Sequence, residues 1–237
     1  MPTLTSKDGY LPKMTRAEYT AAKNNRTLLC PNTCLISDEG KVEFLFANPK
    51  TDIGIAAWYG SKVLYYSVEE WNALETRPTA MGVYVATENG VVCLHETTSS
   101  QKWSDNTTVV VPGCFCDSDA ARSLLDMGGE ANTDAVLAAV SNGVIENAPL
   151  FTWAHSLTFA NGKTGYVPAK GELETLRLNG VQINACRAAI GHSVINFASN
   201  IWSSSQNSAY YSWFWNSSHW LDRIKSYSLL GLALCAL

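Results

Sequence analysis

The chain has 237 residues, a formal net charge of −4 and a charged fraction of only 16%. This length is sufficient to bury a large core without a structural metal or a disulfide framework. The mildly acidic composition argues against nucleic-acid binding, because phosphate backbones are bound by clustered Lys and Arg. A hydrophobic content of 46% favours a packed globular protein over a disordered one.

The N-terminal sequence, MPTLTSKDGYLPKMTRAEY, lacks the basic start and the apolar run of a secretory signal. No stretch of the chain reaches the roughly eighteen apolar residues that a membrane span needs. We therefore expect a protein that is neither exported by that route nor inserted into a membrane.

Two capping boxes mark helix starts in the first third of the chain. Thr15 and Ser67 are each followed three residues later by a glutamate, so hydroxyl and carboxylate can satisfy each other's exposed amides. The first box predicts a short helix that ends by Asn25, and the second predicts a helix through Leu74. Pro78 stops the second helix, and we place a domain boundary near it.

Short strands are expected around these helices, because runs of β-branched and aromatic residues are bounded by Gly, Pro, Asn and Asp. Residues 81–96 predict a hairpin, since Asn89-Gly90 supplies the positive φ angles of a tight turn. The other segments expected to be strands are 28–30, 41–48, 53–60, 62–68 and 108–113.

Helices are expected in the middle of the chain. Asp117 or Ser118 is predicted to cap a helix through Met127, and Asn132 to cap a further helix over 133–140.

Pro168 starts a helix, or a broken pair of helices, with an apolar stripe of Leu173, Leu176 and Ile183. From Trp202 onward the sequence predicts only strands and loops. Helices in the middle and strands at both ends make the predicted fold class α+β.

No motif for catalysis or metal binding is present. The sequence has no nucleophile elbow, no phosphate-binding glycine loop and no zinc-protease pattern, and its four His are scattered. The pairs Cys30/Cys34 and Cys114/Cys116 could supply four zinc ligands, but one of the two pairs misses the usual zinc spacing, so the ordinary structural interpretation is favoured over metal binding. Cys93 and Cys235 lie in apolar runs and are expected to be core residues. We expect no metal and no cofactor.

The stretch from Ile201 to Trp220, IWSSSQNSAYYSWFWNSSHW, combines aromatic residues with Ser and Asn and contains no charged residue. Its strand period places Tyr211, Trp213 and Trp215 on an inward face and Tyr210, Ser212 and Phe214 on an outward face. Exposed Tyr among Ser and Asn is typical of antibody-like binding loops. We expect Trp202, Trp213 and Trp215 to pack internally, and we consider surface recognition for Tyr210, Tyr211, His219 and Tyr227.

Three segments in fixed order carry a resemblance to a known family. They are GYVPAKGELETL at 165–176, INACRAAIG at 183–191 and IWSSSQ at 201–206, followed by the Ser/Asn/Tyr-rich stretch and an apolar C-terminal strand. This order resembles the C-type-lectin-fold variable proteins of diversity-generating retroelements, and the resemblance covers roughly residues 80–237. Residues 1–79 would then be an N-terminal attachment or accessory segment.

The resemblance implies a non-enzymatic protein that binds a ligand through a hypervariable surface, with the variable region at about 202–237. The genes of that family are rewritten at adenines in AAC-type codons, which cannot yield Trp, Lys, Gln, Glu or Met. Between Asn207 and Leu230 the residues of those types are Trp213, Trp215, Trp220 and Lys225. Those expected to form the scaffold of the site are Trp202, Ser203, Ser204, Trp213 and Trp215. The expected ligand-binding residues are Asn207, Ser208, Ala209, Tyr210, Tyr211, Ser212, Phe214, Ser218, His219, Asp222, Arg223, Ile224, Ser226, Tyr227 and Ser228.

The implied partner is a protein or glycan on a bacterial cell surface, and the N-terminal segment would attach to a virion or another surface structure. A phage tail, or the bacterial cytoplasm before assembly, is the expected location. The sequence departs from the family at Gln206, which stands where an acidic residue is usual, and in its ending LGLALCAL. The calcium motifs of sugar-binding lectins are absent, so neither calcium nor a sugar follows from the fold.

Two alternatives remain open. The chain could be a structural module of a virion or pilus without its own ligand. Alternatively, it could resemble the formylglycine-generating enzymes, which share this fold type and use reactive Cys residues. Cys186 lies in a predicted helix and Cys235 in a predicted core strand, which argues against the enzyme.

Overall fold

The computed structural model describes residues 13–18, 33–36, 41–44, 52–87, 89–105 and 108–237. The chain divides into two compact units, Met1–Lys50 and Thr51–Leu237. The division therefore precedes Pro78, where the sequence placed a boundary. Strands on both sides of Pro78 pair in one sheet, so the residues from Thr51 onward fold together.

The first unit contains a sheet of three short strands. They are β1 (Lys13–Met14), β2 (Thr33–Ile36) and β3 (Lys41–Phe44), in the order β1-β2-β3. The capping box at Thr15 is confirmed, since its Oγ1 accepts from the Glu18 amide at 3.2 Å and the Glu18 carboxylate accepts from the Thr15 amide at 2.9 Å. The expected strand at 28–30 and the end of the first helix lie outside the described residues.

The second unit combines helices and strands, as the predicted α+β class requires. In chain order its elements are β4 (Ile53–Tyr59), β5 (Lys62–Tyr66), α1 (Val68–Asn72), β6 (Thr79–Thr87), β7 (Gly90–Leu94), β8 (Ser99–Lys102), a 3-10 turn (Arg122–Leu125), α2 (Gly129–Ser141), α3 (Pro149–Ser156), α4 (Lys170–Leu178), α5 (Gly180–Ala189), β9 (Asn200–Gln206), β10 (Tyr211–Asn216), β11 (His219–Ile224), β12 (Ser228–Gly231) and β13 (Leu234–Ala236). No helix in the described ranges is long and apolar enough to cross a membrane.

Two five-stranded sheets organise this unit. The first has the order β13-β7-β6-β4-β5, and the second has the order β11-β10-β9-β12-β8. The last two strands of the chain belong to different sheets, so the C-terminus links them. The predicted hairpin is confirmed as the antiparallel pair β6 and β7, with Gly90 at a φ of +129° in the turn.

The second sheet is covered on both faces, and this arrangement positions the candidate site. On one face Ile201 and Trp215 join a core cluster with Leu173, Leu176 and Ile183 of the helices α4 and α5. On the other face a second cluster is built around helices α2 and α3. Its residues from the sheet include Trp202 and Phe214, and those from the helices include Val136, Leu150 and Phe151. The apolar stripe predicted for α4 and α5 is therefore confirmed.

Three local predictions were wrong, and in each case a side chain forms a hydrogen bond to a backbone amide that the prediction did not include. Residues 108–113 form no strand: the amide of Val111 donates to the Gln206 side chain at 3.0 Å. Asn132 caps no helix, because it lies inside α2, where its buried side chain accepts from the Phe115 amide at 2.8 Å. Asp119 accepts from two following amides and starts only a 3-10 turn, so no helix runs through Met127.

Two elements were not predicted. Strand β8 lies between the predicted hairpin and the segment 108–113, and it pairs with β12 at the edge of the second sheet. Helix α3 was also missed, although Pro149 stands at its first turn and Leu150, Phe151 and Ala154 form its buried face.

Candidate recognition site

The expected variable residues fall mainly on one hairpin and the segments around it. Strands β10 and β11 pair antiparallel, with Tyr211 opposite Ile224 and Asn216 opposite His219. Ser217, at a φ of 34°, forms the tight turn between them. Because β11 is the edge strand of its sheet, the hairpin lies at the margin of the fold.

Burial divides the fifteen expected ligand-binding residues into three groups. Those that are exposed are Tyr210, Tyr211, Ser218, His219, Asp222, Arg223, Ile224, Tyr227 and Ser228. The half-buried ones are Asn207, Ser208, Ala209 and Ser226. The buried ones are Ser212 and Phe214.

The assignment of Ser212 and Phe214 to an outward face was wrong. Phe214 is only 1% exposed, and its ring lies edge-on to that of Trp202 with the centroids 5.9 Å apart. The Ser212 hydroxyl donates to the Ser205 carbonyl oxygen at 2.7 Å. The physical reason is that helices cover the second sheet on both sides, so the middle of β10 has no outward face. Tyr211, assigned inward, is 39% exposed because it stands at the end of the paired strands.

The exposed aromatic residues form the apolar part of the surface. Tyr210 is 55% exposed, and Tyr211, Tyr227 and Ile224 are also exposed large side chains. The guanidinium of Arg223 lies 4.1 Å from the centre of the Tyr227 ring, a cation–π contact that orients both side chains. Tyrosine supplies a large, stiff contact area and a hydroxyl, so this composition suits a recognition surface.

The tryptophans expected to be scaffold are buried and each indole N–H is satisfied. Trp202 donates to the Gln101 carbonyl at 3.1 Å, Trp213 to the Asp117 carbonyl at 2.9 Å and Trp215 to the Phe197 carbonyl at 2.8 Å. Because each bond fixes a ring against a different segment, the three residues hold β9 and β10 in place. Their predicted internal packing is confirmed.

The serines of β9 are fully buried, and their hydroxyls join neighbouring elements. Ser203 donates to the Trp213 carbonyl at 2.9 Å, and Ser204 accepts from the Asn132 side chain at 3.1 Å. Ser205 donates to the Asp126 carboxylate at 2.6 Å and accepts from the backbone amide of Lys170 at 2.8 Å. Ser203 and Ser204 are therefore buried and hydrogen-bonded, and their role as the scaffold of a binding site stays a prediction.

A buried acidic network lies beneath this strand. Asp126 also accepts from the Asn132 side chain at 2.8 Å and from the Gly128 amide at 3.0 Å. Glu172 accepts from the Ala169 amide at 2.8 Å, and burial raises the pKa of its carboxyl to about 7. These carboxylates lie by the N-termini of α2 and α4, where amide groups favour negative charge.

Two buried lysines flank β10, and the sequence interpretation gave neither of them a contact. Lys170 donates to the Ala120 carbonyl at 2.8 Å and to the Ser123 hydroxyl at 2.6 Å, with its ammonium 3.6 Å from the Trp213 ring centre. Lys225 donates to the Gln206 side chain at 2.7 Å and to the Ala209 carbonyl at 3.0 Å. Burial lowers the pKa of each lysine to about 8.

Gln206 forms hydrogen bonds through both the oxygen and the nitrogen of its side-chain amide. Its side-chain oxygen accepts from Val111 and Lys225, and its amide group donates to the carbonyls of Val111 and Cys114, each at 3.3 Å. A carboxylate would accept from the same donors but would leave both carbonyls without this donor. The amide is therefore the group that matches this buried environment.

The cysteines whose side chains the structure describes are free thiols. Within the part of the chain that the structure describes, no group of three or more His, Cys, Asp or Glu could hold a metal ion. Cys114 is buried and Cys116 is exposed, whereas Cys93 and Cys235 face each other across β7 and β13 in the core, as expected. Cys30 lies outside the described residues.

Comparisons with known proteins give one likeness, in structure. No protein-family model matches the chain, and no curated protein matches it significantly. The fold is similar to that of a fimbrial protein from Bacteroides ovatus ATCC 8483, with a TM-score of 0.51 and 16% sequence identity. The likeness covers 88% of this chain and 49% of the fimbrial protein, so this chain spans about half the length of its structural neighbour.

Proposed function

We propose that this chain is a non-enzymatic recognition protein, a variable protein of a diversity-generating retroelement, and that the unit Thr51–Leu237, which contains the residues 80–237 of the resemblance, has a C-type-lectin-like fold. It binds a protein or glycan on a bacterial cell surface through the exposed residues of β10, β11 and the adjoining loops. A phage tail or another surface structure carries it, attached through the N-terminal segment.

One observation carries the proposal: the division of the C-terminal segment into buried and exposed positions. The residue types that AAC-type codons cannot produce occur at four positions between Asn207 and Leu230. Trp213, Trp215 and Lys225 are buried, and Trp220 is half-buried with its indole donating to Glu174 at 2.8 Å. Nine of the fifteen positions expected to vary are exposed. This is the division that a diversified surface on a constant scaffold requires.

The segments that carry the family resemblance also have structural roles. Residues 170–178 and 180–189 are the helices α4 and α5, and β9 carries the Trp-Ser-Ser-Ser run. A side chain at Gly171 would collide with the carbonyl of Leu124, and Glu172 accepts a hydrogen bond from the Tyr166 hydroxyl at 2.9 Å. These contacts give the motif residues packing roles, which is what the proposal expects of a constant scaffold.

The buried cysteines Cys114 and Cys186 give no support to oxidation chemistry. Burial raises the pKa of Cys186 to about 11 and that of Cys114 to about 12. Reactive cysteines are accessible and have lowered pKa values, which favour the thiolate. The formylglycine-type alternative is therefore disfavoured.

Binding to intact cells tests the proposal. A labelled preparation of the protein is mixed with a panel of bacterial strains, and a triple variant carries alanine at Tyr210, Tyr211 and Tyr227. We expect binding to at least one strain and a loss of about 30-fold or more in the variant, since hot-spot aromatics contribute about 2 kcal/mol or more. Tyr59→Ala is the matched control, because Tyr59 is 64% exposed and is not part of the proposed binding surface on β10, β11 and the adjoining loops. Equal loss in both variants, or no binding to any strain, would contradict the proposal.

The gene provides an independent test. We expect a near-copy of the last ~110 nucleotides close to the stop codon, differing at adenines, together with a reverse transcriptase gene. Their absence would contradict the retroelement assignment but not surface binding.

A second candidate is a structural module of a pilus or virion without its own ligand. The likeness to the fimbrial protein favours it only at the level of fold. Sequencing the gene from sibling isolates separates the two candidates. A structural module should not concentrate coding changes in residues 207–230, whereas a recognition protein should.

A further inference from the structure

We propose that the ammonium group of Lys225 is a positioning group that fixes the backbone of residues 207–211, so that this loop keeps one shape whatever side chains it displays. The biological meaning of this inference rests on the proposed function. The structural claim itself concerns the protein without ligand.

The first step is the location of the ammonium group. Lys225 is 1% exposed, and its Nζ donates to the carbonyl oxygen of Ala209 and to the side-chain oxygen of Gln206. The ammonium also lies 4.5 Å from the centre of the Trp103 ring, which is fully buried. Two hydrogen bonds and an aromatic face thus compensate the charge for its loss of water.

The second step is that both contacts connect the loop to fixed parts of the fold. Gln206 ends β9 and is held by the backbone of Val111 and Cys114. The Lys225 carbonyl accepts from the Ser104 amide at 3.1 Å, which ties the lysine to the segment after β8. Lys225 therefore holds the Ala209 carbonyl against a rigid framework rather than against another loop.

The third step is that the loop is held mainly through its backbone. The Lys225 amide donates to the Tyr210 carbonyl at 3.1 Å, and the amides of Asn207 and Ser208 both donate to the Tyr211 carbonyl at 3.1 Å. A loop side chain takes part in one further bond, in which the Ser208 hydroxyl accepts from the Tyr211 amide at 3.2 Å. Replacing a side chain at 209 or 210 removes none of these bonds.

The fourth step is that the loop should respond to the charge of Lys225. The ionisable groups that face this ammonium are the thiols of Cys114 and Cys116. Burial is the main cause that lowers the pKa of Lys225 to about 8. Deprotonation leaves the amine a weaker donor to the Ala209 carbonyl. The loop is therefore expected to loosen as the pH rises through about 8.

Hydrogen exchange of the unliganded protein, measured by mass spectrometry, tests the positioning role. In Lys225→Met we expect amide exchange at least tenfold faster in peptides covering 207–211. Lys170→Met is the matched control, because Lys170 is equally buried but holds the carbonyl of Ala120. It should speed exchange around 117–123 and leave 207–211 within about threefold. Unchanged exchange at 207–211 in Lys225→Met overturns the inference.

Two display variants test whether the loop shape is independent of its side chains. Ala209→Thr and Tyr210→Asp should keep the exchange of 207–211 within about threefold of the parent protein. Tenfold acceleration in either variant overturns the inference, whether or not the protein binds any cell.

A pH titration of the unaltered protein provides a test that does not depend on a variant folding. Nuclear magnetic resonance signals of the Trp103 indole N–H and of the 207–211 amides should shift together, with a midpoint near pH 8. Lys170 faces Trp213, so its own titration should move the Trp213 indole signal instead. A flat Trp103 signal between pH 6.5 and 9.5 overturns the expected loosening of the loop with rising pH. Loss of cell binding without a change in these signals would bear only on the proposed function.

Discussion

Replacing Phe214 with alanine removes a buried ring from the cluster that joins the second sheet to the helices α2 and α3. The ring is 1% exposed and lies edge-on to Trp202. Truncations of this kind in protein cores cost about 3–5 kcal/mol, because apolar contacts are lost and a cavity remains. For a folded unit of 150–250 residues, each kcal/mol lowers the melting temperature by about 2–4 °C. We therefore expect a decrease of about 6–20 °C.

Urea unfolding followed by circular dichroism measures this free energy directly. Tyr210→Ala is the control, because Tyr210 is more than half exposed and should cost no more than about 0.5 kcal/mol. If Phe214→Ala costs as little as Tyr210→Ala, then Phe214 is not a core residue and the alternating pattern had placed it correctly. A large cost would restrict this position to apolar residues, so Phe214 could not vary freely even if its codon were rewritten.

Three further predictions concern the buried polar groups and the close helix contacts. The pKa of Glu172 is raised from 4.5 to about 7 by burial, so the folded protein binds a proton that the unfolded chain releases. Its stabilising contribution is full below pH 4.5 and is lost as the pH rises through about 7, by roughly 3 kcal/mol in total. Thermal unfolding between pH 4 and 8 should show this decrease in the parent protein but a flatter profile in Glu172→Gln. Arg187→Met should cost about 1–3 kcal/mol in urea unfolding, because the guanidinium donates to the carbonyls of His95, Glu96 and Ser193 in part-buried hydrogen bonds. A cost below about 1 kcal/mol would show that water replaces it. Gly129→Ala should lower the melting temperature strongly, since the new Cβ would lie 2.7 Å from the Ala169 nitrogen. Gly162→Ala is the control and should cost only about 1 kcal/mol, because Gly162 faces open space and only its φ of +81° opposes a side chain.

Period and capping signals predicted the local elements of the chain well. The capping boxes at Thr15 and Ser67, the Asn89-Gly90 hairpin and the helix pair after Pro168 were all identified from short-range patterns. Each of these signals is a chemical requirement of a few neighbouring residues, such as an amide that needs an acceptor. Such requirements can be recognised in the sequence because the two partners lie only a few residues apart.

The errors occurred where a partner lies far away in the sequence. The amide of Val111 is bonded by Gln206, and Asn132 is bonded to Ser204, so neither role follows from nearby residues. The same holds for Phe214, whose burial depends on helices α2 and α3 that cover its side of the sheet. A strand period of two identifies two faces but does not state how many of them are covered.

Composition indicated which residues of the candidate site would be exposed. It did not indicate the buried residues that hold them in place. Tyr210, Tyr211 and His219 are exposed, as a recognition surface would need. Lys170 and Lys225 could not be assigned from sequence, because a lysine is normally a solvated surface residue. Their burial depends on carbonyl groups and indole rings that only the folded chain brings together.

The polar run from Ser203 to Gln206 connects these findings. A strand of three serines and a glutamine looks like a surface segment, yet all four residues are fully buried. Buried polar groups must be paired, and here they pair with Asp126, with the Lys225 ammonium and with backbone groups. Of the exposed hairpin side chains, none takes part in the bonds that hold this run. A framework stabilised by such interior hydrogen bonds keeps its geometry when the side chains on its outer hairpin change. An apolar core strand under the same hairpin would lack hydrogen bonds that fix its position along the sheet.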